Sequence, residues 1–402
     1  MAGEAWKSVR LYEVLEDVFA GAWGDSPSDS RSPNVHVLRA TNIDSEGRVS
    51  YSKPALRVLV SREVSRKRLL AGDLLLEASG GGPGTPVGRV ALHDGGIEEQ
   101  EYVCSNFFRV LRPNRKVVHP DYLRHLLVWV YHSPAIWRYQ QQTTGLVNLK
   151  LKDYLEHPLL VPPLGEQERV VDVLRGFSEA ERGIEASIAK LELLRSGVME
   201  ELEALECGTF GDVLAGGPQN GIYKPGDAYG LVGTPIVRID SFSGGLSDFR
   251  NGLLRVLLGK SELSRYALDV GDIVINRVNT PGLVGKSTEV RLLAEPTVFE
   301  SNMMRCRVRT ELAAPAFVET WLGGTVAKSH FQARAKSAIS QASINGSDVR
   351  GCPFPQLGVS EQLAFLRRLD AVRDQQQSEL AELTKLRTLK QGLVDDLLAG
   401  RA

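Results

Sequence analysis

A chain of 402 residues can hold two or three domains with proper cores, and 43% hydrophobic with 24% charged residues is an ordinary balance for a soluble globular protein. A net charge of −1 gives no global nucleic-acid signal, and no apolar run reaches the roughly 18 residues of a membrane span. The four cysteines, Cys104, Cys207, Cys306 and Cys352, make no CxxC pair, which argues for a reducing cytoplasm and against a disulfide framework or structural zinc site.

The opening MAGEAWKSVRLYEVLED carries acids early and lacks an apolar h-region, so it does not read as a signal peptide. Short apolar runs such as NVHVL and DLLLE, cut by Gly/Pro turns, predict strands. An amphipathic helix is predicted from near Pro120, because proline suits a first helical turn. VPPLGEQERVVDVL, Val161 to Leu174, then opens a long helix. Its apolar positions run Phe177, Ala180, Ile184, Ile188, Leu191, Leu194, Val198, Leu202 and Leu205, in steps of three and four. That narrow stripe reads as a coiled-coil seam, with Glu179, Glu181, Glu185, Glu192, Glu200 and Glu201 on its outer face.

The second half repeats the first. Glu166-Gln167 and Asp153 recur as Glu361-Gln362 and Asp348, 195 residues on. Ser105-Asn106 recurs as Ser301-Asn302, Gly72-Asp73 as Gly271-Asp272, and Val37-Leu38-Arg39 as Ile236-Val237-Arg238. Chance matches would keep neither order nor interval, so the chain reads as a duplication. DIVIN predicts a strand, Pro315 a helix start, and FPQLGVSEQLAFLRRL a second long helix with its own apolar stripe from Phe365 to Leu397. Two such helices, each about 60 Å from Glu166 to Glu206 or its equivalent, would most economically pair antiparallel. Gly176, Gly183, Gly197 and Gly392 either let the backbones approach or weaken the helices.

The expected fold is therefore α/β (α+β). Two similar globular parts, 1–160 and 207–355, are each followed by a long helix, 161–206 and 356–402, and the paired helices separate them. Charge follows this division: residues 1–150 and 207–357 each carry +3, residues 151–206 carry −7, and residues 358–402 balance. A locally positive face can hide within a neutral total.

GDLLLEASGGGPGTPVGRV, YVCSNFFRVLRP, TTGLVNLKLKDYLEHPLLVPPLGEQERVVDVL, INGSDVRGCPFPQLGVSEQ and LRTLKQGLVDDLLAG together resemble the specificity subunit of type I restriction–modification systems. The resemblance covers nearly the whole chain. It implies two target recognition domains on an antiparallel coiled coil, each reading half of a bipartite asymmetric site in double-stranded DNA. It also implies no catalytic activity, two copies of a DNA methyltransferase subunit carrying S-adenosylmethionine, and translocating endonuclease subunits using ATP and Mg where cleavage occurs. Neither a cofactor in this chain nor a membrane partner is expected. A methylase-only or other phage-defence recognition subunit, and a DNA-free scaffold joining two proteins, are the rival readings.

Candidate DNA contacts fall at matching places in the two halves. SGGGPGTPVGR offers Ser79 and Arg89, but it lacks the GxGxxG frame and the GK[ST] ending of a nucleotide loop. PGLVGKST offers Lys286, with Thr280 where a Walker glycine would stand. Both read as tight turns able to approach the DNA backbone. QQQTTGLVNLK contributes Gln141, Thr143, Thr144, Asn148 and Lys150, and SAISQASINGS contributes Gln341, Ser343 and Asn345. Amides suit adenine; hydroxyls and lysine suit phosphate. Arg39 with Asn42, and Arg238, follow matching strands and are either base readers or ion-paired to Asp44 and Asp240. VINRVNT supplies Asn276, Arg277 and Asn279. The seven histidines show no metal spacing.

Overall fold

The computed structural model describes residues 6–82, 84–143, 145–242, 246–249, 252–337 and 341–398. The chain divides into two compact units, Met1–Glu185 with Ala381–Ala402, and Ala186–Leu380. The division falls inside the two 40-residue helices, Leu164–Glu203 and Val359–Leu398.

In the first unit, four antiparallel strands lie in the order Leu15–Ala20, Phe108–Pro113, Leu74–Glu77 and Val90–Leu92. A second sheet orders Ala55–Arg57, Val35–Leu38 and Tyr102–Cys104, the last pair parallel. Leu74, Leu75 and Leu76 are all fully buried, as a fully apolar run requires when both sheet faces are covered. Pro120–His132 packs Tyr122, Leu123, Leu126, Leu127 and Val130 into the same core as Leu74 and Leu76. His119 caps this helix by accepting from the Asp121 N–H at 3.2 Å.

The second unit repeats this order. Its larger sheet runs Leu214–Asn220, Met303–Val308, Ile273–Asn276, Ser287–Leu293 and Leu246–Phe249. The fifth strand, parallel to Ser287–Leu293, was not foreseen from the sequence. Thr234–Val237 pairs parallel with Val298–Phe299, as Val35–Leu38 does with Tyr102–Cys104. Pro315–Leu322 takes the place of Pro120–His132. The duplication thus extends from sequence landmarks to strand order.

Each unit is closed by a two-stranded neck. Lys7–Arg10 pairs antiparallel with Pro158–Val161, and Cys207–Thr209 with Pro353–Pro355. Beyond each neck a long helix begins three residues before the repeated glutamine, at Leu164 for Gln167 and at Val359 for Gln362. Pro163 stands directly before its helix, whereas Gln356, Leu357 and Gly358 separate Pro355 from Val359, so the longer spacing of PQLGVSEQ is absorbed ahead of the helix.

Both glutamines are fully buried. Gln167 Oε1 accepts from the His119 N–H at 2.7 Å, while its Nε2 donates to Val117 O at 3.1 Å and Pro162 O at 2.7 Å. Gln362 Oε1 accepts from the Ala314 N–H at 2.9 Å, and its Nε2 donates to Leu312 O at 3.0 Å and Leu357 O at 2.8 Å. Each amide satisfies backbone groups at the start of the shorter helix and ahead of the long one. That is the physical meaning of the repeated glutamine.

Within each unit the long helices lie antiparallel. In the first, Lys390 meets Glu181 at 2.8 Å and Arg387 meets Glu185. In the second, Arg368 meets Glu201 at 2.9 Å and Gln376 donates to Glu192 at 3.3 Å. Glu181 corrects the outer-face expectation, since it is 7% exposed and its charge is paired with Lys390. The stripe is only partly sequestered: Val198, Leu202 and Leu383 are buried, while Leu194 and Leu389 stay about half exposed. Two helices alone cannot enclose a seam from every side.

No described atom lies within 4 Å of a Cβ built at Gly176, Gly183, Gly197 or Gly392, so close backbone approach is not their role. Replacing each by alanine is expected to raise stability by about 0.5–1 kcal/mol, read as an upward shift in the urea midpoint. A loss of stability at any of the four would contradict the open surroundings.

No helix among the described residues is long and apolar enough to cross a membrane. The cysteines are unpaired, with Cys104, Cys306 and Cys352 buried.

Candidate nucleic-acid interface

In the first unit, a three-stranded sheet of Gln140–Thr143, Leu146–Leu149 and Ser79–Gly81 gathers several predicted contacts. Gln141 faces Asn148 across the hairpin, and the Ser79 hydroxyl donates to Asn148 Oδ1. Lys150 follows, exposed, at the start of Leu151–Leu155. Thr144 lies outside the described residues, and Thr143 is placed by its backbone alone.

The hairpin is anchored by a residue that sequence reasoning passed over. Gln140 Oε1 accepts from the Val87 N–H at 2.9 Å, and its Nε2 donates to Val87 O and Ile136 O, each at 3.0 Å. The glycine-rich stretch is thereby a packed turn. Gly88 has φ +118°, and a Cβ there would meet Ile136 Cδ1 at 2.8 Å. Gly285, at φ +82°, repeats this against Phe331. Beside the turn, Phe107 O accepts from the Ala78 and Ser79 N–H groups, and the Phe107 ring is 47% exposed. An exposed aromatic ring next to hydroxyl and amide groups suits stacking on a base.

Several predicted side chains serve the scaffold. The Arg89 fork holds buried Glu77 at 2.8 and 2.9 Å, and this pairing raises its pKa. Asn42 is 3% exposed; it accepts from the Arg39 N–H at 3.0 Å and donates to Ser50 O at 3.1 Å. Asn276 is fully buried, and Asn279 is 8% exposed and accepts from the Thr280 N–H. Asn345 caps Gly346–Arg350 by accepting from the Ser347 and Asp348 N–H groups. Lys286 donates to Phe242 O and lies 4.5 Å from the Phe242 ring centroid, where burial lowers its pKa. Arg277 donates to Ser301 O at 3.2 Å. These polar types recur at turns and caps for backbone reasons, so type alone did not separate support from readout.

The predicted ion pairs are corrected. Asp44 takes Arg48 at 3.1 Å, while Arg39 donates to Lys53 O at 3.0 Å. Arg238 turns to Glu300 at 3.5 Å rather than to Asp240, and lies 5.1 Å from the Tyr229 ring centroid. Ser343 sits in the short strand Ala342–Ser343 opposite Val278, with Gln341 exposed before it. Among the described residues no His, Cys, Asp or Glu cluster could hold a metal ion.

No protein-family model matches the chain. A protein of Methanocaldococcus jannaschii, provisionally named the type I restriction enzyme MjaX specificity subunit, is 24% identical over 204 residues. That match spans 50% of this chain and 45% of that relative. The crystal structure of the HsdS subunit from Thermoanaerobacter tengcongensis aligns at a TM-score of 0.55 and 19% identity, covering 99% of this chain and 97% of that one. A chain from a study of assembly and conformational transition in the type I R-M system aligns at 0.59 and 17% identity, covering 100% and 99%. The type I S subunit from M. genitalium aligns at 0.52 and 12%, covering 99% and 97%. The fold of this chain is that of type I restriction–modification specificity subunits, which it also resembles in sequence over half its length.

Proposed function

We propose that this chain is the non-catalytic DNA-recognition subunit of a type I restriction–modification complex. Each sheet-rich part, 1–160 and 207–355, reads one half of a bipartite asymmetric site. The helical segments 161–206 and 356–402 position two methyltransferase subunits, which bring S-adenosylmethionine, and ATP- and Mg-using nuclease subunits where these exist. The observation that carries this reading is a doubled scaffold of specificity-subunit fold whose two copies share one strand order, with further strands in the second, and differ in sequence. One scaffold with two sets of loop side chains suits two dissimilar half-sites.

The methylated motif of the source genome, read from polymerase kinetics, tests it. A split asymmetric motif that disappears when this gene is deleted is the expected result; an unchanged methylome overturns it. Duplex binding supplies a second test. A reader making six or more phosphate contacts is expected to lose affinity on the order of 1,000-fold between 50 and 200 mM salt, whereas a scaffold that ignores DNA shows no such slope.

A further inference from the structure

The second unit holds a cavity of about 450 Å³ lined by Tyr223, Lys224, Tyr229, Arg238, Glu300 and Asn302, among others. We infer that this cavity reads a guanine, with Arg238 presenting its two terminal amino groups to the base's O6 and N7 acceptors. The inference rests on the DNA-reading function proposed above and gives it an address.

Arg238 is held in place without its donor fork being used. Its Nε is buried 3.5 Å from Glu300 Oε2, within ion-pair distance but without a hydrogen bond, and its Cζ lies over the Tyr229 ring. Glu300 is itself fixed, because its Oε1 accepts from the Ile239 N–H at 2.9 Å. The terminal nitrogens of Arg238 make no hydrogen bond among the described residues, and its side chain is 33% exposed. The forks of Arg89, Arg112 and Arg255 are by contrast occupied by Glu77, Asp73 and Glu295.

Charge selects a base over a phosphate. Both cations of the cavity are already paired, Arg238 with Glu300 and Lys224 with Glu262 at 2.9 Å. A phosphate would meet almost no net positive charge and would lie close to the Glu300 carboxylate. A neutral edge with two adjacent acceptors takes the same donors without that repulsion, and guanine presents this edge in the major groove. Tyr223, 76% exposed, adds an aromatic face to the cavity. In the first unit the position matching Glu300 is buried Cys104, and Arg39 donates instead to Lys53 O. The braced fork thus belongs to one unit only, as dissimilar half-sites require.

The test is selection from randomised duplexes by the full chain, purified with any subunits that accompany it, followed by sequencing. The wild type is expected to enrich an invariant guanine in one half-site. Arg238→Ala and Arg238→Lys should each lower preference for that guanine on the order of 10- to 100-fold, leaving the other positions and the salt slope unchanged. Arg238→Lys keeps a charge beside Glu300 and so guards against mere misfolding. A uniform loss across sequences with a shallower salt slope would make Arg238 a phosphate contact and overturn the inference, as would unaltered selection. Wild-type failure to bind any duplex would instead remove the DNA-reading function itself.

Discussion

Replacing Gln167 or Gln362 by alanine is expected to cost about 3–5 kcal/mol, against less than about 1 kcal/mol for Glu166→Ala. Each glutamine is fully buried and closes three hydrogen bonds to backbone groups. Removing the amide leaves one N–H and two carbonyls without partners and opens a void that bulk water cannot fill freely. Glu166, whose only side-chain hydrogen bond among the described residues is from Trp6 Nε1 at 3.2 Å, has little comparable to lose. Gln167→Glu should be at least as damaging, because a carboxylate would face Val117 O and Pro162 O where two N–H donors now point. Urea midpoints measure the cost, and hydrogen exchange at Pro120–His132 or Pro315–Leu322 localises it. Alanine variants within 1 kcal/mol of wild type would mean that the amides do not tie these helices down.

The second large effect is a dependence of stability on pH from Glu319. This residue lies on Pro315–Leu322, is 8% exposed, and burial pushes its pKa up to about 7. Nearby Glu289 adds to the rise; Arg291 and Arg373 oppose it. A carboxyl whose folded pKa exceeds its ordinary value near 4.5 supports the fold while protonated. That contribution is complete below pH 4.5, declines as pH rises, and is gone above pH 7. The span corresponds to up to about 3 kcal/mol. Glu319→Gln keeps the shape without the charge. It should match wild type near pH 4.5 and exceed it by about 2–3 kcal/mol at pH 8. Parallel stability curves for the two proteins would show that Glu319 carries no such strain.

Periodicity and repetition were legible because they are local. The apolar steps from Phe177 to Leu202 need only a helical repeat to be recognised, and the constant interval between Gln167 and Gln362 needs no structure at all. Long-range partners were not legible. Glu181 looked like solvated surface because nothing near it in sequence announces Lys390. For Arg238 the sequence offered Asp240, two residues on, as the one ion-pair alternative to base reading, whereas the parallel pairing of Thr234–Val237 with Val298–Phe299 delivers Glu300. The candidate asparagines failed to separate for another reason. Asn42 and Asn345 satisfy nearby backbone groups, a duty that draws on the same amide chemistry as base recognition.

The paired strands at the base of each sheet-rich part bear on how such a protein could change. Lys7 lies opposite Val161 and Cys207 opposite Pro355, so the polypeptide goes in and comes out at adjacent points. Whatever is spliced between those points inherits a ready-made doorway, provided it keeps the backbone turn that the glutamine beyond it binds, at Val117 and His119 in one part and Leu312 and Ala314 in the other. Recombination at the two thresholds could therefore swap one vocabulary for another in a single event, without renegotiating the helices.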